Sequence, residues 1–273
     1  MQPINIPARG TTLKGTLYQP PAAPKAAIVL HGATGVPACY YRHFAEWLTT
    51  QGYACLTYDY RDFGASATGH PKHSTATMVD WGVHDQSAAQ AALTAHLPDA
   101  PLWVIGHSLG GFMLPFQPNA AQISRVITVA SGAAYIGDHP WPYRAMALLF
   151  WYGPGPLGTK LLGYLPGKAL GLGPNLPAQV YWQWRRWCTS KSFYEAETAL
   201  PPLAQPFTGP LKIIAMVDDV MMPPQSVWKL ARYYPKAQQS RALLHPKVYG
   251  LKHIGHIEIF NPRSANIWPD IIS

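Results

Sequence analysis

The sequence predicts an α/β fold, a mostly parallel central sheet flanked by helices, with a Trp-rich insertion between two of its strands. Three observations predict it. The runs AAIVLHG, YACLTYDY, PLWVIGHS, RVITVAS and LKIIAMVDD are apolar nearly throughout, as strands buried on both faces must be. Stretches with helical spacing of apolar residues separate them, which is the rhythm of a parallel sheet. From about 134 to 208 that rhythm stops, and Trp141, Trp151, Trp182, Trp184 and Trp187 appear among Gly-Pro punctuation such as GPGPLG and LGLGPNLP.

The elements follow in order. TTLKGTLYQ alternates apolar and polar residues, so the chain opens with a strand or hairpin that the prolines at 20, 21 and 24 end. AAIVLHG is the first buried strand and stops at His31-Gly32. YYRHFAEWLTTQG reads as a helix with Gly52 at its C′ position. YACLTYDY is a strand leaving through RDFGAS, and Met78 to Ala95 reads as a helix. PLWVIGHS is the third buried strand, and LGGFMLPF begins the helix after it. RVITVAS, LKIIAMVDD and PKVYGL complete the strands. The domain reading is a core over 1–133, an inserted cap over 134–208, and the rest of the core over 209–273.

The chain has 273 residues, 48% of them hydrophobic, enough for one substantial core with an appendage. The net charge of +8 is scattered and forms no basic run, so no nucleic-acid partner is expected. Cys39, Cys55 and Cys188 have neither metal-type spacing nor a disulfide pattern, and Cys55 reads as a core residue. No basic-then-apolar leader and no apolar run of about 20 residues is present. The expectation is a cytoplasmic protein without stable membrane insertion, and the oligomeric state is left open.

GHSLGG, Gly106 to Gly111, holds G-x-S-x-G between a predicted strand and a predicted helix. A serine on so sharp a turn needs small neighbours, and the helix start behind it offers a backbone N–H, that of Leu109, to a developing oxyanion. Ser108 is therefore the candidate nucleophile. A hydroxyl needs a base and a group that orients the base. Asp218 and Asp219 stand at a strand end, and Asp219, four residues before Pro223, is the chosen acid with Asp218 the alternative. In GLKHIGHIEIF the base is His256, after Gly255, while His253 supports the loop or faces solvent. His245 is set aside because it precedes PKVYGL. His31 reads as a structural residue of its loop. The residue after Gly32, Ala33, is the candidate for the second oxyanion N–H, with Thr34 next. His70, His73 and His84 lack zinc-site spacing, so neither metal nor organic cofactor is expected.

Together these residues resemble the α/β-hydrolase superfamily over nearly the whole chain. HGATGVPACYYRHFA, YDYRDFGAS, Trp81 to Asp85, GHSLGG, the cap through QWRRWC and GLKHIGHIEIF look like a group of predicted bacterial α/β-hydrolases akin to serine aminopeptidase-like and monoacylglycerol lipase-like enzymes. The resemblance implies Ser108 as nucleophile, Asp219 as acid and His256 as base. Such relatives often have a glycine after the arginine of RDFG, where this chain has Asp62. The cap is expected to roof Ser108, with Trp184, Trp187 and Arg185 as candidate substrate contacts. The expected activity is hydrolysis of a small-molecule acyl ester through an acyl-enzyme. Amide hydrolysis, acyl transfer and a binding role on the same scaffold are the alternatives.

Overall fold

The computed structural model describes every residue except Asn119, Tyr194, Ala196, Thr198, Ala199 and 201–206. The chain opens with a hairpin of β1 (Gln2–Ala8) and β2 (Thr11–Tyr18), turned at Gly10. Three parallel strands follow, with helices between them: β3 (Ala27–His31), α1 (Arg42–Thr50), β4 (Ala54–Tyr58), α2 (Gln86–His96) and β5 (Leu102–His107). After β5 come α3 (Leu109–Phe112) and β6 (Arg125–Val129). The segment after β6 holds α4 (Tyr143–Tyr152), α5 (Pro154–Leu162), a small antiparallel ribbon of β7 (Tyr164–Leu165) and β8 (Leu176–Pro177), and α6 (Ala178–Cys188). The sheet resumes with β9 (Pro210–Met216), then α7 (Pro224–Trp228), β10 (Gln238–Leu244) and the closing α8 (Trp268–Ile272).

Eight strands form one sheet in the order β1-β2-β4-β3-β5-β6-β9-β10. β2 runs antiparallel to β1 and β4, and the remaining pairings are parallel. Every residue of β3 and β4 is buried, which accounts for their unbroken apolar sequence. Side chains alternate between faces. Ile28, Leu30, Ile105 and Ile127 pack under α1 and α8 with Phe44, Phe260 and Trp268. Val29, Val104 and Val126 belong to the opposite core, with Trp81, Leu93 and Val227.

Three elements differ from the sequence reading. PKVYGL is no strand: Pro246–Tyr249 is a 3₁₀ turn, begun by a proline that has no N–H to offer a ladder. The last strand is QQSRALL, an edge strand exposed along most of its length and so without an apolar signature. It places His245 at its carboxyl end, opposite to expectation, where the imidazole is exposed. The helix begun by LGGFMLPF lasts four residues, because Pro115 enters the following turn. The helix read from Met78 begins as a π-helical stretch, Asp80–Asp85, before becoming α2.

That π-helical stretch is tied to the loop after β4. Asp85 accepts from the Arg61 guanidinium at 2.6 and 2.8 Å and from its backbone N–H at 2.9 Å. The Trp81 indole donates to the Arg61 carbonyl at 3.0 Å and stacks on Tyr60 at 5.1 Å. Asp62 has φ +56°, the left-handed conformation that explains a glycine in relatives. Here the Asp62 carboxylate accepts from Ser74 at 2.6 Å and Thr68 at 3.1 Å.

Candidate active site

The carboxyl ends of the central strands bring Ser108, Asp219 and His256 together from three separate parts of the chain. Ser108 lies between β5 and α3 with φ +53° and ψ −114°, a strained conformation for a residue with a side chain. The turn is closed by absent side chains. A Cβ on Gly106 would run into the backbone of Gly110 and Gly111, and one on Gly110 into the His31 carbonyl. The strain is held from below, where the Ser131 hydroxyl donates to the Ser108 carbonyl at 2.7 Å.

His256 Nε2 lies 3.0 Å from Ser108 Oγ, and its Nδ1 lies 2.8 Å from Asp219 Oδ2. The Asp219 side chain is fully buried and the His256 ring nearly so. Burial alone would raise the Asp219 carboxyl. The His256 imidazole and the backbone N–H groups of Met222 and Met221, at 2.8 and 2.9 Å, outweigh it and hold the carboxyl below its ordinary value. Asp218, the alternative acid, holds the loop that presents the imidazole. It accepts from the N–H of Ile254 at 2.8 Å and of Gly255 at 3.2 Å, and pairs with the exposed His253 at 2.6 Å.

The oxyanion candidates separate. Leu109 opens α3, where a backbone N–H has no acceptor within the helix. The Ala33 N–H donates to the buried Tyr41 hydroxyl at 2.9 Å and is engaged there. The Tyr41 hydroxyl also lies 2.8 Å from Nδ1 of His107, whose Nε2 lies 2.8 Å from the His256 carbonyl. Burial pushes His107 down to about 3, so its ring is neutral and carries one N–H. A carbonyl only accepts, so that N–H sits on Nε2, and Nδ1 accepts from Tyr41. One buried relay therefore links the Ala33 loop, the residue before Ser108 and the backbone of His256. Sequence reasoning missed it, because His107 fills a position that G-x-S-x-G leaves unspecified. His31 is buried and likewise pushed down to about 3, with Tyr58 at 2.7 Å and Gln90 at 3.0 Å. It holds its loop.

The three expected substrate contacts are occupied with packing. Trp187 is buried against Phe112 and Phe193, and Trp184 meets Trp151 edge-on at 5.0 Å. Arg185 donates to the Trp151 carbonyl at 2.7 Å and covers the Tyr152 ring. They join α6 to α4 and to α3, and none lines the cavity of about 540 Å³ that opens beside Asp219. That cavity is bordered by Gly137 to Pro140, Val217, Val220 and Pro223 to Gln225, on the acid side of Ser108. Among the described residues, no group of three or more His, Cys, Asp or Glu is placed to hold a metal ion.

Residues 22–153 match the family model for serine aminopeptidases of the S33 type. No curated protein sequence matches the chain significantly. Among solved structures, a thermostable carboxyl esterase from Bacillus coagulans is similar with a TM-score of 0.62 and 15% identity, covering 99% of this chain and 94% of its own. An esterase from Pyrococcus furiosus gives 0.60 and 15%, covering 99% and 87%. The mouse alpha/beta hydrolase domain-containing protein 10 gives 0.56 and 15%, covering 100% and 96%. Strand order, the strained serine between β5 and α3, and these likenesses agree: the chain has the α/β-hydrolase fold.

Proposed function

We propose that the protein hydrolyses carboxylic esters through an acyl-enzyme on Ser108. The observation that carries this reading is the alignment of Ser108 Oγ, His256 and Asp219 at 3.0 and 2.8 Å, with the serine on a strained turn. His256 takes the proton from Ser108 as the oxygen attacks the ester carbonyl, and Asp219 holds the resulting imidazolium. His256 then gives that proton to the leaving alcohol, and a water that it deprotonates releases the acid. Leu109 supplies one N–H to the tetrahedral oxyanion. With the Ala33 N–H engaged by Tyr41, we assign the second to Thr34.

The segment over 134–208 acts in this reading as a cap. Its α6 packs on α3 through Trp187 and Phe112, and Gly35 of the oxyanion loop faces Leu176 of β8. Amide hydrolysis is the second reading, favoured by the match to the aminopeptidase model. An aminopeptidase holds the α-ammonium of its substrate, which calls for an acidic side chain. The acidic residues of 134–208 are each paired with a cation, Asp138 with Lys229, Glu195 with Arg232 and Glu197 with Arg186, which favours an uncharged acyl substrate.

A p-nitrophenyl ester series from acetate to palmitate, with aminoacyl p-nitroanilides alongside, tests the reading. Ester turnover should dominate, and Ser108→Ala should lower kcat by roughly 10⁴- to 10⁶-fold. Faster turnover of the anilides would transfer the assignment to the amide reading.

A further inference from the structure

The segment between β6 and β9 carries an apolar surface unlike the rest of the molecule. α4, YRAMALLFWY, is apolar on both sides: Ala147 and Trp151 face the protein, while Met146, Leu149 and Tyr152 face outward. In α5, Gly155 and Thr159 are buried, and Leu157 and Leu161, one turn apart, are exposed. Leu149 is 68% exposed, Leu161 74% and Trp141 67%, values that single out a face rather than scattered residues.

Charge gives that face its direction. Residues 139–194 include six Lys and Arg and no Asp or Glu, and of these cations Arg186 is paired with Glu197. Arg144 stands over the Trp141 ring at 5.9 Å and Arg185 over Tyr152 at 5.0 Å, while Lys160, next to Leu161 in the chain, is exposed. Cations on aromatic rims around an apolar centre match a headgroup layer over acyl chains. Two copies of this face would oppose like charges, whereas an anionic bilayer satisfies both the cations and the leucines. The face also begins at the cavity beside Asp219, whose lining ends at Pro140 and includes the exposed Val217 and Val220.

We propose that this face docks peripherally on an anionic lipid surface, with Trp141, Met146, Leu149, Tyr152, Leu157 and Leu161 entering the boundary between headgroups and acyl chains. Helices of ten and nine residues lie in that plane and do not cross it. Docking is independent of the hydrolase reading, since it needs no chemistry at Ser108.

The test is flotation of the full chain with vesicles of phosphatidylcholine alone and of phosphatidylcholine with phosphatidylglycerol, at low and high salt. Wild type and Ser108→Ala should both float with the mixed vesicles at low salt, and binding should fall by about tenfold or more at high salt. Leu149→Gln with Leu161→Gln should lower binding by about tenfold and leave short-ester hydrolysis unchanged. Arg144→Gln with Lys160→Gln should remove the preference for the anionic lipid. Absence of flotation with mixed vesicles at any salt would overturn the proposal. So would sedimentation as a dimer that the double-leucine variant converts to a monomer, which would make the face an interface between copies.

Discussion

At the scale of single residues, the account turns on Asp219. Its carboxyl lies below the ordinary value because His256 and two backbone N–H groups outweigh the cost of burial. A depressed carboxyl stabilises the fold in full above the ordinary carboxylate pKa of about 4, and that contribution disappears as the pH falls through the lowered native value. Asp219→Asn should therefore flatten the acid limb of thermal stability below about pH 4, and an unchanged limb would contradict the argument. At neutral pH the same variant should lower kcat by about 10³- to 10⁴-fold, since an amide orients the wrong imidazole tautomer. Ser108, Asp219 and His256 were legible as a set because each stands in a local pattern: a glycine-flanked serine, a carboxylate at a strand end, a histidine after glycine. Tyr41 and His107 were not. Their relay joins positions 33, 41, 107 and 256, and no local pattern marks a hydrogen bond between residues so far apart. The engagement of the Ala33 N–H was hidden for the same reason, since Tyr41 reaches it from the start of α1.

At the scale of elements, the loop after β4 and the π-helical stretch before α2 behave as one piece. The Arg61 guanidinium is mostly buried and Asp85 fully so. Removing the carboxylate strands a buried cation. Asp85→Ala should cost about 3–5 kcal/mol in urea unfolding, and a loss below about 1 kcal/mol would mean that water replaces the carboxylate there. The strands β3 to β6 and β9 were legible because burial on both faces leaves only apolar residues to choose from. β10 was not, because an edge strand facing water needs no apolar face, and QQSRALL looks like a loop. Helix α3 was over-read because local spacing continues through Leu114 while Pro115 has no N–H to continue it.

At the scale of the whole molecule, the chain end closes the core beneath the base loop. Trp268 packs on Phe44 at 5.4 Å and on Trp47 at 5.7 Å, and its indole donates to the Ile259 carbonyl at 2.9 Å, three residues beyond His256. Trp268→Ala should cost about 3–5 kcal/mol of stability by thermal unfolding, and an unchanged melting temperature would show that α8 is dispensable. The overall architecture was visible from alternation of strands and helices, whereas the role of the tryptophans in 134–208 was not. Composition cannot distinguish a tryptophan that packs, such as Trp187, from one that faces outward, such as Trp141. The central claim is that Ser108 is a nucleophile activated by His256, and covalent labelling tests it most directly. Wild type treated with a fluorophosphonate should gain one adduct, located on the Ser108 peptide by mass spectrometry, while Ser108→Ala should gain none and His256→Ala should react far more slowly. Labelling that persists in Ser108→Ala, or fails in folded wild type, would contradict the account.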